Sequence, residues 1–289
     1  MPNRLFFSVL PGGELEFSCI VVVPGAARDG VTSWALRGQD NRHSLTLRQP
    51  LTGEDLRRGR TMISAVLPQG WPDSVLTVDL GQGASEHEVR VFGQHQGFIL
   101  PFASDALVVG GHRIGEPHRA AFDLPGQQFG WDLVALGPQN LAFLNGPLST
   151  PPRSTDLACY GQHVLAPAPG IVVAATDGIP DAELLGDQQP PAGASLLWAA
   201  GNHVVIRHDH GVHSFLAHLQ KGSVDVAAGQ QVQTGTLLGS AGSSGNANGP
   251  HLHLHFMDGP DPIAAGPLPI QLTAEGDTFA PTSGQIIGP

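Results

Sequence analysis

The residues able to do chemistry in this chain are histidines and a few aspartates, and they concentrate in its second half. The hexapeptide HLHLHF, His251–Phe256, alternates without a break. Successive side chains of a strand point to opposite faces. His251, His253 and His255 therefore share one face, and Leu252, Leu254 and Phe256 the other. Imidazoles lined up on an otherwise apolar strand are costly unless each has a partner. A metal ion, a water or a substrate can supply one; an edge strand with its histidines in solvent is the plainer alternative. His218 stands in FLAHL among apolar neighbours, where a lone histidine is ordinarily a satisfied core residue. Upstream, GHRIGEPHRAAFD holds His112, His118 and Asp123, and FGWDLVAL holds Asp132 between Trp131 and Leu133. An aspartate in that second setting is expected to be buried or half-buried, and a buried carboxylate needs a cation or several donors. Zinc accepts mixed His and Asp ligands in a tetrahedral shell, and a catalytic zinc keeps one position open for water.

Such side chains need a frame of short strands, and the composition points to one. Glycine (38) and proline (25) punctuate the chain every few residues, which disfavours long helices and favours strands joined by tight turns. Hydrophobic residues make up 41%, enough for a sizeable core over 289 residues. The fold class is therefore expected to be all-β. Leu5–Leu10, Leu15–Val23, Ser44–Leu47, Met62–Leu67, Val75–Val78, Glu86–Phe92 and Phe98–Phe102 read as strands separated by Gly-Pro-Asp turns. Leu51–Arg60 has room for a short helix. This first part, residues 1–104, is expected to be a small β domain without a chemical cluster, in which His43, His87 and His95 have surface or packing roles. From residue 105 to 289 a second domain is expected. There Val164–Gly178 reads as two strands around a Pro-Gly turn, and His203–Leu219 as a hairpin turning at Asp209-His210-Gly211. Residues 135–160 and 181–200 read as loops or insertions, and the last thirty residues as mostly loop.

The balance of 14 basic and 25 acidic residues gives a net charge of -11, which excludes a phosphate backbone as an expected partner. No apolar run approaches the roughly 18 residues that cross a bilayer as a helix, so membrane insertion is not expected. The start of the sequence lacks the apolar core of a signal peptide. A cytoplasmic location is the resulting expectation, with the periplasm and exterior left open. Cys19 and Cys159 do not form a CxxC pair; they can be joined in one disulfide or stand as two buried thiols.

Five motifs taken in order resemble the lysostaphin-type (LytM-like) zinc metalloendopeptidases over roughly residues 108–270. They are an early His with an Asp, APAPGIV (Ala166–Val172), GNHVVIRH (Gly201–His208), AHL (Ala217–Leu219) and GPHLHLHF (Gly249–Phe256). The glycine-rich run Val226–Gly249 leads into the last of them as it does in that family. Residues 1–104 are not covered. The resemblance implies an antiparallel β-sheet metallopeptidase domain of the lysostaphin-like, duplicated hybrid motif type. It implies zinc as cofactor and a peptide or peptidoglycan-like substrate. It implies His118, Asp132 and His253 as metal ligands and His218 and His251 as catalytic histidines, and gives His255 no fixed role.

The departure lies in the early motif. Common members write HxGxD, with the two ligands four residues apart on one strand. Here His118 and Asp132 are separated by a turn at Pro125-Gly126, and His118 and Asp123 would fall on opposite faces of a straight strand. Asp132 is preferred for its aromatic-Gly-aromatic context; His112 in place of His118, and Asp123 in place of Asp132, stay open. No HExxH helix is present, so a thermolysin-like arrangement is excluded. The rival reading is a catalytically inactive β module for binding or regulation that retains the peptidase fold.

Overall fold

The computed structural model describes residues 5–9, 14–23, 31–79, 84–91, 97–111, 116, 118, 125–137, 144, 148–186, 190–274 and 276–289. The chain divides into two compact units, Met1–Gln94 and His95–Pro289. His95, His112 and Asp123 lie outside the described residues.

The first unit is a seven-stranded sheet. Its strands are β1 (Leu5–Val9), β2 (Leu15–Val22), β3 (Val31–Gly38), β4 (Ser44–Pro50), β5 (Arg60–Leu67), β6 (Ser74–Asp79) and β7 (Ala84–Val91), in the spatial order β4-β3-β6-β7-β1-β2-β5. All neighbours are antiparallel except β1 and β7. The short helix α1 (Gly53–Arg58) forms within Leu51–Arg60, where a short helix was allowed for. Thr52 caps it: Thr52 Oγ1 accepts the Asp55 N–H at 3.1 Å, and Asp55 Oδ2 accepts the Thr52 N–H at 2.7 Å. One face of the sheet buries Phe7, Phe17, Trp34, Leu36, Ile63 and Leu76 in a common cluster. Strand β3 was not among the expected ones. Thr32, Trp34, Leu36 and Gly38 are its buried positions, and a threonine and a glycine at two of the four leave its apolar alternation faint. His43 bonds Asp40 at 2.7 Å and His87 bonds Ser85 at 3.2 Å, both at the surface.

The second unit is built on an eight-stranded sheet. In chain order its strands are β8 (Ala106–Gly110), β9 (Trp131–Ala135), β10 (His163–Leu165), β11 (Gly170–Thr176), β12 (Asn202–Arg207), β13 (His213–Leu219), β14 (Gln231–Val232), β15 (Leu237–Ser240), β16 (Leu252–Met257), β17 (Leu272–Ala274), β18 (Asp277–Phe279) and β19 (Ile286–Ile287). The sheet runs β14-β11-β12-β13-β16-β9-β8-β19, antiparallel throughout. Strands β10 and β15 form a two-stranded ribbon, as do β17 and β18. The all-β, antiparallel expectation holds. Among the described residues no helix is long and apolar enough to cross a membrane.

Two local readings differ. Phe98–Phe102 is not a strand: only Ile99 bridges, to Thr273. Its Ile99 N–H goes to Pro167 O at 2.9 Å, while Phe98 O and Pro101 O accept from Thr273 and Leu165. Bonds to two separate segments, Leu165–Pro167 and Thr273, replace a ladder, and Pro101 has no N–H to continue one. The turn expected before Asp132 is a short 3-10 helix, Pro125–Phe129. Of the two states left open for the cysteines, the structure has the second: Cys19 and Cys159 are both free and buried, and burial pushes each thiol up to about 12.

The sheet's geometry near β13 is set by one buried amide. Asn202 is wholly buried. Its Oδ1 accepts the Ile179 N–H at 2.8 Å, and its Nδ2 donates to Ile179 O and Leu219 O, each at 2.9 Å. Asn202→Ala would leave the Ile179 N–H and C=O without these partners at about 1 kcal/mol or more each, while Leu219 O keeps the Ser244 hydroxyl. A loss of about 2 kcal/mol or more is expected in denaturant unfolding. An unchanged midpoint would show that this amide does not hold the end of β13.

The hairpin turn carries a titrating group of known sign. His208 Nδ1 must donate to Pro169 O at 2.8 Å, because a carbonyl only accepts, so Nε2 is the lone pair that takes the Ser214 hydroxyl at 2.8 Å. Burial lowers the His208 pKa, and the Pro169 bond only partly offsets it. The folded value therefore lies below the unfolded value of about 6.5. The stability this residue contributes is complete above that value and is lost as pH falls through the folded one. His208→Gln is expected to lose less stability than the parent between pH 7.5 and 5.5; an equal loss would remove His208 as a source.

Candidate active site

The register of three strands brings the histidines and the aspartate together. Asp132 on β9 pairs directly with His253 on β16, and His253 pairs on its other side with Ala217 on β13. The alternation of HLHLHF does the rest: Leu252, Leu254 and Phe256 are wholly buried on the far face. On the near face, His253 Nδ1 lies 3.0 Å and His251 Nε2 3.5 Å from Asp132 Oδ1. His118 reaches the same carboxylate from outside the sheet. Its Nε2 lies 2.9 Å from Asp132 Oδ2, close enough to pair charges but without the direction of a hydrogen bond, and it is buried with no other partner. His118, Asp132 and His253 offer ligand atoms that all lie within 4.8 Å of one another.

His218 joins the group through a defect in the sheet. Between the pairs Asn202↔Leu219 and Val204↔Leu216, His203 of β12 faces both Ala217 and His218 of β13. That is a β-bulge. His218 takes a left-handed backbone, φ 63°, unusual for a residue with a side chain and worth on the order of 1–3 kcal/mol of strain. Strict alternation would send His218 to the face opposite Phe215 and Ala217. The bulge turns it onto their face, where its ring centroid lies 4.7 Å from that of His251. Its Nδ1 donates to Ser244 O at 2.8 Å, and His251 Nδ1 donates to Gly249 O at 2.8 Å. Since both acceptors are carbonyls, both rings commit Nδ1–H to the backbone and leave Nε2 for the site.

The electrostatics follow from burial and from the carboxylate. Burial works against the charge of Asp132, but its close contacts with His118, His251 and His253 outweigh it and hold the carboxyl well below the usual range. Burial drives the His218 pKa well down, reinforced by His251 and His253. Burial also lowers His253. For His251 the Asp132 bond overcomes burial and raises the value. His255 is pushed well down by burial and by its histidine neighbours.

The group stands at a groove of about 690 Å³. Val109, Leu196, Leu197 and Ile263 give it apolar walls, and Gln127, Asn246 and Asn248 give it neutral polar ones. Of the residues singled out from the sequence, the structure brings together His118, Asp132, His218, His251 and His253, with His255 packed behind His253. The contribution of Ser244 and Gly249 was not foreseen. Both lie in the run SAGSSGNANGP, whose glycines signal a shaped loop but not which carbonyl meets which ring. Gly110 was also missed. It pairs with Asp132 across a second register shift, and a Cβ built on it would lie 2.6 Å from Asp132 Oδ2.

The sequence profile of peptidase family M23 matches residues 150–265, a span that contains His218, His251 and His253 and begins after His118 and Asp132. Among curated proteins, the DD-carboxypeptidase/endopeptidase Mpg of Neisseria meningitidis serogroup B is 37% identical over 84 residues, 28% of this chain and 19% of that protein. The peptidoglycan DD-endopeptidase ShyA of Vibrio cholerae is 38% identical over 66 residues, 23% of this chain and 15% of that protein. The chain thus spans about a fifth or less of the length of these relatives. Among solved structures, the catalytic domain of lysostaphin from Staphylococcus simulans covers 44% of this chain and 86% of its own, at 19% identity and a TM-score of 0.28.

Gly110→Ala tests the close approach to Asp132. The added methyl must displace the carboxylate or the strand, at a cost of about 1–3 kcal/mol. Denaturant unfolding should show that loss, and a variant as stable as the parent would mean that the approach is not tight. Residues 150–265 thus match peptidase family M23, and they carry the strands β13 and β16 on which His218, His251 and His253 stand.

Proposed function

We propose that this protein is a zinc-dependent endopeptidase that hydrolyses amide bonds in short glycine- or alanine-containing peptides, with peptidoglycan cross-links as the substrate class. The peptidase role falls to residues 105–289. The observation that carries this reading is the convergence of two histidines and an aspartate with two further histidines at one end of a groove. The chemistry of the set suits zinc: mixed imidazole and carboxylate donors, close together, one of them a buried His118 Nε2 without a hydrogen-bond partner. The names of the relatives, DD-endopeptidases among them, supply the substrate class.

In this reading His118, Asp132 and His253 hold the ion. Zinc, when bound, acidifies a water and polarises the scissile carbonyl. His218 and His251 act on that water and on the carbonyl oxygen with their Nε2 atoms. Each ring is locked by its Nδ1–H to a backbone carbonyl, so each can take or give a proton only on the groove side. His218, neutral through burial, is the acceptor of the water proton; His251 stabilises the developing oxyanion as a donor. The apolar walls position the flanking peptide and exclude water from it. An inactive module would be expected to have lost part of this set, and each of its roles is filled here.

The test separates binding from turnover. Asp132→Asn and His253→Ala are expected to lose zinc from protein purified without added metal. His218→Ala and His251→Ala should keep zinc and lose about a hundred- to ten-thousand-fold in peptidase rate. Metal content by elemental analysis beside cleavage of peptidoglycan fragments reads both. Parent protein that carries no zinc and gains no activity with it would overturn the proposal, and a reversal between His251 and His253 would exchange their roles.

A further inference from the structure

His255 is the histidine of the HLHLHF strand that the proposed reaction leaves without a task, and the family pattern implies none for it. It is nevertheless buried, 2% exposed. Its Nδ1 lies 2.9 Å from His253 Nε2, and its ring stacks on Phe215 with centroids 4.8 Å apart and planes at 27°. Its own Nε2 is buried with no hydrogen-bond partner. A buried polar atom left alone in a packed site calls for a reason.

The reason follows from counting hydrogens. A neutral imidazole has one N–H and one lone pair. His253 turns Nδ1 toward Asp132, at 3.0 Å, and Nε2 toward His255. To serve as a ligand, Nδ1 must present its lone pair, so the hydrogen of His253 must sit on Nε2. That N–H needs an acceptor, and His255 Nδ1 is the atom in place. His255 must then keep its own hydrogen on Nε2, the atom that has no partner. Without the ion the Asp132 carboxylate, which only accepts, takes the His253 Nδ1–H, and His255 Nδ1 is then the donor to His253 Nε2; both hydrogens must shift for Nδ1 to become a ligand. The rings have little freedom to escape this arrangement. Phe215 supports His255 from β13. On β9's side, a Cβ at Gly130 would lie 3.1 Å from His253 Cε1 and 3.3 Å from His255 Cβ, so the backbone itself closes on both rings.

We infer that His255 is a positioning residue for His253. With the ion bound it accepts the His253 Nε2–H, so that Nδ1 is free as a ligand, and it fixes the plane of the ring toward Asp132. The partnerless His255 Nε2 can carry the displaced hydrogen. This rests on the reading of His253 as a ligand; His255 itself touches neither the ion nor the substrate.

Zinc affinity of the full chain, measured by competition with a chelator, tests it with two variants. His255→Leu keeps an apolar filling but removes the acceptor, and should weaken zinc binding about 10–100-fold. His255→Gln supplies an amide oxygen in its place and should recover most of that loss, a rescue that a purely space-filling role would not produce. Thermal unfolding of both establishes that they fold. Leu binding zinc as tightly as the parent, or folded Gln binding no better than Leu, would overturn the inference. Long-range proton–nitrogen NMR of the zinc-loaded parent gives an answer independent of any variant: the His255 hydrogen is expected on Nε2, and finding it on Nδ1 overturns the inference. Failure of the metal reading itself shows in the parent, which then binds no zinc, whereas failure of the positioning role shows only in the variants and the tautomer.

Discussion

The half-buried carboxylate of Asp132 is the constraint around which the second unit is organised. A carboxylate among Trp131, Leu133 and the sheet interior is unfavourable without counter-charge, and the fold surrounds it with three imidazoles at 2.9–3.5 Å. Each comes from a different kind of placement. His253 arrives by cross-strand pairing, His251 by sitting two residues earlier on the same face, and His118 by the chain that precedes the 3-10 helix Pro125–Phe129. Gly110 leaves room for the carboxylate because a side chain there would occupy its space. Moving any of these strands by one residue would turn the whole donor set to the other face.

His218 depends on a second, independent constraint. The bulge in β13 is held from below by Asn202 and Ser244: Ser244 Oγ donates to Leu219 O at 2.7 Å and accepts the Asn202 N–H at 3.0 Å. Ser244 also offers its carbonyl to the His218 ring. One residue thus fixes the backbone that turns His218 and the imidazole that has been turned. The left-handed backbone at His218 is sustained by this network, in line with the way strained residues gather where a site needs a side chain that regular geometry would send elsewhere.

The groove walls combine apolar side chains with neutral amides, and the titratable groups among the lining residues are Asp132 and the histidines.

Much of the second unit could be read from the residues alone. The period of two in HLHLHF determined that His251, His253 and His255 share a face, because alternation is a property of any strand. The aromatic setting of Asp132 determined that it would be buried or half-buried, and the density of glycine and proline determined an all-β fold. Strand β3 and the segment Phe98–Phe102 were misread for local reasons: buried positions filled by threonine and glycine in the first, and hydrogen bonds divided between two segments in the second. Only the tertiary structure decided which partners those residues have. Pairing between Asp132 and His253 spans 121 positions of sequence, and no local pattern encodes a register between strands so far apart. The direction of His218 ran against its own alternation, since a bulge depends on the neighbouring strand and on Ser244. The role of His255 was invisible for the same reason: a histidine's tautomer is set by what its two nitrogens face, and that is known only when the chain is folded.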